Sequence, residues 1–335
     1  MMVLQTNDLK VHHQTPRGML RAVDGINIHV GAGETLGLVG ESGCGKSTLA
    51  RCIVGISQPT EGTLAIEGVK DSGKRVNNFE RAHAVQMVFQ DPSGALNPRL
   101  SVGRIIEEPL MVHRIGSKSE RRQRVVELAE QVGLASYHLK RHPHELSGGQ
   151  RQRVSIARAL ALEPNLLVCD EAVSALDVSV QAQVLNLFID LQKRLGLAYL
   201  FISHDLAVVR YISHRIAVMY LGRIVEIGPA EAVWSRRVHP YTRALVNAIP
   251  DQTARSEAVG LLEGDVPSPV NPPSGCTFRT RCPFARERCA TEAPALSNRG
   301  DGLQVACHFA EEIEASHCSE HGSSASVSPV AIGAP

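Results

Sequence analysis

"TLGLVGESGCGKSTL" (35–49) decides how the rest of the chain is read. An apolar run passes into a loop that fits G-x-x-x-x-G-K-[ST] from Gly40 to Ser47, and a helical pattern opens at Lys46. Strand, glycine loop and helix come in the order that phosphate binding requires. Gly40, Gly43 and Gly45 permit a tight turn whose backbone N–H groups converge on phosphate oxygens. The helix N-terminus adds a dipole favourable to anions. Glu41, Ser42, Cys44 and Thr48 complete the loop; Lys46 is expected to reach β- and γ-phosphates, and the Ser47 hydroxyl to ligate Mg²⁺. A thiol placed as Cys44 is tends toward a lowered pKa and open access. The plainer expectation is a small residue tolerated beside the nucleotide.

Outward from this loop, apolar runs alternate with helical patterns across residues 20 to 230. "AVQMVF" (84–89), "LLVCD" (166–170), "AYLFIS" (198–203) and "IAVMYL" (216–221) read as buried strands. In "DVSVQAQVLNLFIDLQKRLG" (177–196), Val184, Phe188, Leu191 and Leu195 recur at helical spacing, and Gly196 is a stop signal. Such alternation argues an α/β core with a mostly parallel sheet. Residues 102 to 163 have little strand character and read as an inserted helical layer, with an amphipathic helix over 119–134 whose arginines form a solvated face.

Composition removes several classes of function. Thirty-five Lys and Arg balance thirty-four Asp and Glu, so no net field points to nucleic acid. No apolar run approaches the roughly eighteen residues of a membrane span. The first residues lack a basic segment followed by an apolar one, so no leader is expected, and the eight cysteines are read as those of a reducing compartment.

"LLVCDE" (166–171) ends a strand in two acids about 120 residues beyond the loop. Asp170 is expected to hold Mg²⁺ and Glu171 to polarise the attacking water as general base. "LSGGQ" (146–150) opens a further helix, so Ser147, Gly148 and Gly149 offer a second anion site at a helix N-terminus. The glycine loop, LSGGQ, DE and "SALD" (174–177) in this order resemble an ABC-transporter nucleotide-binding subunit. The resemblance covers about residues 4 to 250. It implies a P-loop NTPase core with an antiparallel β subdomain and a helical subdomain near 92–163. In that family two subunits dimerise head to tail. By resemblance Ser147, Gly148, Gly149 and Gln150 then bind ATP held by the other subunit, and Asp177 communicates across the interface. Gln90 in "VFQDPSGALNP" (88–98) resembles the residue that senses Mg²⁺ and links to the transmembrane subunits, and His204 in "FISHD" (201–205) resembles the switch histidine that meets the γ-phosphate. The family stacks an aromatic on adenine about twenty-five residues before the loop. Here the place is held by "KVHHQ" (10–14), so His13, or failing that His12, is expected to stack, with relaxed base selectivity.

After residue 235 the texture changes. "HPYTRALVNAIP" (239–250), the Pro-rich "DVPSPVNPPSG" (265–275) and "CTFRTRCPFARERC" (276–289) resemble the C-terminal extension of ATPases serving bacterial dipeptide and oligopeptide importers. Cys276, Cys282, Cys289 and Cys307 are spaced C-x5-C-x6-C-x17-C. A zinc knuckle favours shorter pairs, whereas longer spacings suit a four-cysteine iron–sulfur cluster, and the resemblance implies a 4Fe–4S cluster. Zinc stays open as the alternative. Arg279, Arg281, Arg286 and Arg288 would offset cluster charge or form a solvated face. Cys318 is read as a bystander, and Cys52 and Cys169 as buried small residues.

The expected organisation is an ATPase domain over 1–250, the extension over 251–318 and a disordered tail over 319–335. The implied function is ATP hydrolysis that drives peptide import at the cytoplasmic face of the membrane, as a peripheral subunit. Implied partners are a second ATPase, a paralogue by resemblance, two permeases and an extracytoplasmic peptide-binding protein. The same engine serving nickel or a sugar, or a soluble ABC ATPase, are the rivals.

Overall fold

The computed structural model describes residues 1–69, 78–249 and 264–321. Its chain opens with β1 (Met2–Thr15), β2 (Gly18–Ile26), β3 (His29–Gly31) and β4 (Thr35–Val39); β5 (Glu61–Ile66) returns to pair with β1. Strands β2, β1, β3 and β5 make an antiparallel sheet. A second sheet contains β4 and β6 (Val85–Val88), β7 (Leu166–Asp170), β8 (Ala198–Ile202), β9 (Arg215–Tyr220), β10 (Arg223–Pro229), β11 (Ser297–Asn298) and β12 (Gln304–Val305). Its order is β11-β12-β10-β9-β4-β8-β7-β6, parallel from β9 to β6 and antiparallel from β9 to β11. Strands β4, β7 and β8 are buried at every residue. That explains why they read as continuous apolar runs, as central parallel strands do.

One core lies between the two sheets, where Leu49, Cys52 and Ile53 of the helix Lys46–Ile53 meet Leu9, Val11, Val23 and Leu36. Another lies on the opposite face of the large sheet. It is covered by Val102–Val112, Lys118–Gln131, Gly148–Leu160 and Val178–Leu195. Ser117 and Glu120 form a reciprocal capping box that starts Lys118–Gln131, and Gly196 in the left-handed region ends Val178–Leu195. Two arginines of the expected solvated face are paired instead, Arg121 with Glu107 and Arg124 with Glu163.

The C-terminal segment does not stand apart from this core. β12 pairs with β10, and Phe278, Leu303, Val305 and Ala310 join the hydrophobic cluster of the ATPase half. Ala310–His321 is helical, so the last helix passes Ser319, where low complexity places the start of the tail. Burial of Ala310 and Ile313 anchors its first turn. The rest of that tail, like the boundary at 250–251, lies outside the described residues. Among them no helix is long and apolar enough to cross a membrane.

Candidate active site

The 40–48 loop leaves the end of β4 and hands over to the helix Lys46–Ile53 through Gly45, at φ 112°. A Cβ there would run into the backbone oxygen of Ala22, and one on Gly40 into that of Met219, so both positions need glycine. Lys46 Nζ donates to the carbonyls of Gly40 (2.6 Å) and Glu41 (2.9 Å), folding its charge into the mouth of the loop. Ser42 and Gly43 are exposed, while Ser47 and Thr48 are half-buried.

Cys44 departs from the reactive reading. Its side chain is 3% exposed and belongs to the core between the sheets. Burial raises its pKa, outweighing Lys46, so the thiol sits beneath the loop as a small apolar filler.

Ser47 Oγ donates to Asp170 Oδ1 at 3.2 Å, joining the loop to the end of β7. Burial, with Glu171 beside it, holds the Asp170 carboxyl above its ordinary range. A partly desolvated acid beside a hydroxyl fits a divalent cation, which would relieve that cost.

Glu171 adopts φ 49°, a left-handed conformation rare for such a residue, immediately after the strand. Its N–H donates to Ile202 O at 2.9 Å, and its carboxylate is met from two further loops. Gln90 Nε2, just beyond β6, donates to Oε2 at 2.8 Å, leaving the Gln90 amide oxygen available. His204 Nδ1, just beyond β8, lies 3.4 Å from Oε1. Residues from the C-terminal ends of four adjacent parallel strands thus converge, as expected of an open α/β sheet.

The 147–150 turn is elsewhere. Ser147 Oγ accepts from Gln150 N–H, the Gln150 side chain accepts from Ser147 N–H, and Gln150 Nε2 lies 3.3 Å from His138 Nε2. Ser147 and Gly148 are exposed. Gly149 packs so closely on Val180 that a Cβ would collide with it. Asp177, exposed, caps Val178–Leu195 without a side-chain hydrogen bond. Among the described residues, no hydrogen bond or ion pair joins this turn to the 40–48 loop. Arg151 and Arg158 of the helix that Ser147 opens do bond Ser93 Oγ and Ala95 O, tying it to the segment after Gln90.

His13 is exposed on β1 opposite Leu20. His12 lies 3.1 Å from Asp24, which Arg223 also holds. The chain carries the histidine at the expected place, and its side chain is open to solvent.

The cysteine segment is built from repeated local turns. The sulfurs of Cys276, Cys282 and Cys307 each accept an N–H from two residues on, at Phe278, Phe284 and Phe309. Burial, with the neighbouring thiols adding to it, pushes Cys282 up to about 12 and Cys307 up to about 11. Four sulfurs lie within electrostatic reach of one another, and three of them accept backbone N–H groups, which is donor chemistry that a thiolate-ligated group would use. Among the described residues, no three His, Cys, Asp or Glu side chains are set to hold a single metal ion. The arginines are divided: Arg279 lies within electrostatic reach of Cys276, Arg286 and Arg288 lie within reach of Cys289 while pairing with Glu312 and Glu292, and Arg281 pairs with Glu41 of the phosphate loop. Sequence reasoning missed that last contact; its only signal was an acid in the loop and a surplus of arginine in the tail.

Fold and site together define an ATP-binding cassette. The dimeric cassette MJ0796, in a post-hydrolysis state bound to ADP and Pi, superposes with a TM-score of 0.60 at 28% identity, covering 68% of this chain and 98% of that one. CbiO1 from Clostridium perfringens, part of the ABC transporter complex cbiONQ, gives 0.62 at 27%, covering 70% and 92%. The sequence matches the ABC transporter family over residues 23–174 and the C-terminal region of oligopeptide/dipeptide transporters over 225–289. It is 51% identical to a probable peptide ABC transporter ATP-binding protein of Sinorhizobium fredii, over 95% of this chain and 92% of that protein. It is 50% identical to the oligopeptide transport ATP-binding protein OppF of Escherichia coli, over 88% and 92%. The chain belongs to the ABC transporter ATP-binding proteins of this oligopeptide/dipeptide group, and is therefore an ATPase that binds ATP and Mg²⁺.

Proposed function

We propose that this ATPase powers the import of dipeptides or oligopeptides through two membrane permeases, fed by an extracytoplasmic peptide-binding protein. It sits peripherally on the cytoplasmic face of the membrane. The match of residues 225–289 to the C-terminal region of oligopeptide/dipeptide transporters carries the peptide reading, and the separation of two anion-binding turns supports a second subunit. The loop at 40–48 has Ser47, Asp170, Glu171, Gln90 and His204 gathered on one side. The turn at 147–150 is bonded within itself and to His138, and it leaves Ser147 and Gly148 exposed to solvent, with no bond to the 40–48 loop among the described residues. A second ATPase subunit, a paralogue, then supplies the missing turn to each site.

Roles follow from position. The N–H groups of the 40–48 loop cradle the phosphates, apart from that of Glu41, which is taken by Tyr241; Lys46 exchanges its loop carbonyls for β- and γ-oxygens, and His13 lies against adenine. Ser47, Asp170 and the Gln90 oxygen would hold Mg²⁺, which would neutralise charge on the phosphates. Glu171 orients and deprotonates the attacking water, and His204 contacts the γ-phosphate from the far side of that carboxylate. Ser147, Gly148, Gly149 and Gln150 close over the partner's ATP, and Asp177 reports across the interface. Because the 148–160 helix is bonded to the segment after Gln90, closure moves the surface that meets the permeases. Cys276, Cys282, Cys289 and Cys307 would hold a 4Fe–4S cluster, with zinc as the alternative, and such a group would cross-link the extension.

Reconstitution with both permeases and the binding protein in proteoliposomes tests the transport reading. ATP-dependent accumulation of a labelled tripeptide, abolished by Lys46→Ala, is expected; nickel or maltose uptake in its place overturns it. Anaerobic purification with iron, sulfide and zinc analysis tests the cluster, which stoichiometric zinc without sulfide excludes.

A further inference from the structure

The second residue of the phosphate loop is an acid. An unpaired carboxylate at Glu41 would stand within a few ångströms of a triphosphate, in a site with less water than bulk to screen it. It is not unpaired. Arg281, from the cysteine segment 240 residues away in sequence, reaches it with both terminal guanidinium nitrogens, at 2.7 Å and 3.0 Å. The Arg281 side chain is 5% exposed, and its guanidinium lies 6.0 Å from the Tyr220 ring centroid. A shielded bidentate pair of this kind is screened less than a surface ion pair and fixes the geometry of both groups. Its setting is shared by both regions. Tyr241 accepts the Glu41 N–H at 2.7 Å, and its ring packs with Tyr220 and with Phe278, two residues on from Cys276.

We propose that Arg281 is a positioning residue that masks the Glu41 charge and sets the loop for a triphosphate, so that the cysteine segment is a working part of the nucleotide site. The inference rests on reading 40–48 as the ATP loop. It separates two effects that breaking one ion pair would otherwise merge. Removing Arg281 bares an anion beside the phosphates; removing the Glu41 charge does not.

The test is fluorescent-ATP binding to the full-length protein at low and high KCl. Wild type must bind and Lys46→Ala must not, or the reading of the loop itself fails. Given that, Arg281→Ala is expected to weaken binding about tenfold through lost charge masking and pre-organisation, with the deficit shrinking as salt rises. Glu41→Gln should bind within about threefold of wild type, and the Glu41→Gln/Arg281→Ala double variant should recover to the level of Glu41→Gln. Arg281→Lys, which keeps the charge and loses the fork, should stay within about threefold of wild type and serves if the alanine variant does not fold. Wild-type affinity in Arg281→Ala overturns the proposal. So does an equal, salt-independent loss in Arg281→Ala, Glu41→Gln and the double variant, or an Arg281→Lys variant that binds as poorly as Lys46→Ala.

Discussion

The 40–48 loop and the 147–150 turn are made of the same materials, glycines and a hydroxyl residue at the start of a helix, yet the chain treats them in opposite ways. Around the first it assembles an acid pair, an amide and an imidazole, and it fills the space beneath with Cys44. Around the second it satisfies the turn internally, through Gln150, and leaves the outward face bare. Anion-binding geometry is therefore not what makes a catalytic centre. What distinguishes the two is whether charged groups from neighbouring strands reach the same point. On the proposed function, one polypeptide supplies the loop half of one site and the turn half of another.

The most severe way to sharpen the contrast is Glu171→Gln. Turnover should fall by about 10²–10⁴, the span of general base catalysis, while fluorescent-ATP binding stays within about twofold of wild type. Ser147→Ala comes next. It removes a helix cap and, on the proposed function, a contact to the phosphate held by the other subunit, so kcat/KM should fall by roughly 10–100-fold. ATP binding to the isolated subunit should not change, because that loop is whole within one chain. Equal loss of monomer binding would erase the distinction between the two turns. Gly149→Ala acts on the same turn through packing: the new methyl meets Val180, and overpacking of about 1–3 kcal/mol should lower the thermal midpoint.

The smallest effect probes the joint between the ATPase half and its extension. His239 caps Pro240–Asn247, accepting from Tyr241 N–H, and burial pushes its pKa down from 6.5 to about 3. The folded chain therefore takes up no proton there while the unfolded chain does. Stability is unaffected above pH 6.5 and declines as pH falls through that window toward 3, by up to about 1.4 kcal/mol per pH unit. His239→Asn keeps a capping acceptor, and urea unfolding at pH 7 and pH 5 should show a shallower acid loss than in wild type. Buried Glu226, pushed up to about 7, contributes the opposite slope between 4.5 and 7, and it does so in both proteins.

Much of this was legible in residues close together in sequence. The run at 35–49 encodes a buried strand, a glycine turn and a helix start within one continuous stretch, and physics leaves few alternatives for it. Helix Val178–Leu195 announced itself through Val184, Phe188, Leu191 and the stop at Gly196. Order along the chain, with the family resemblance, also named Gln90, Glu171 and His204, though not that both would lie on the same carboxylate. Hidden features depend on distance. Nothing local shows that Arg281 serves Glu41 rather than the cysteines around it. Two-residue strands such as β12 carry too little pattern to be seen at all. At Cys44 the helix dipole and Lys46 favour a thiolate, but burial under the loop outweighs them both, and only the folded structure sets one against the other.

The edge-on union of β10 with β12 carries a practical consequence. A stop codon anywhere before Gln304 would not yield a slimmer, otherwise sound enzyme. It would strip a neighbour from β10 and bare main-chain donors and acceptors of the kind that recruit other polypeptides into aggregates. Loss of the final thirty-odd residues should therefore register first as insoluble protein.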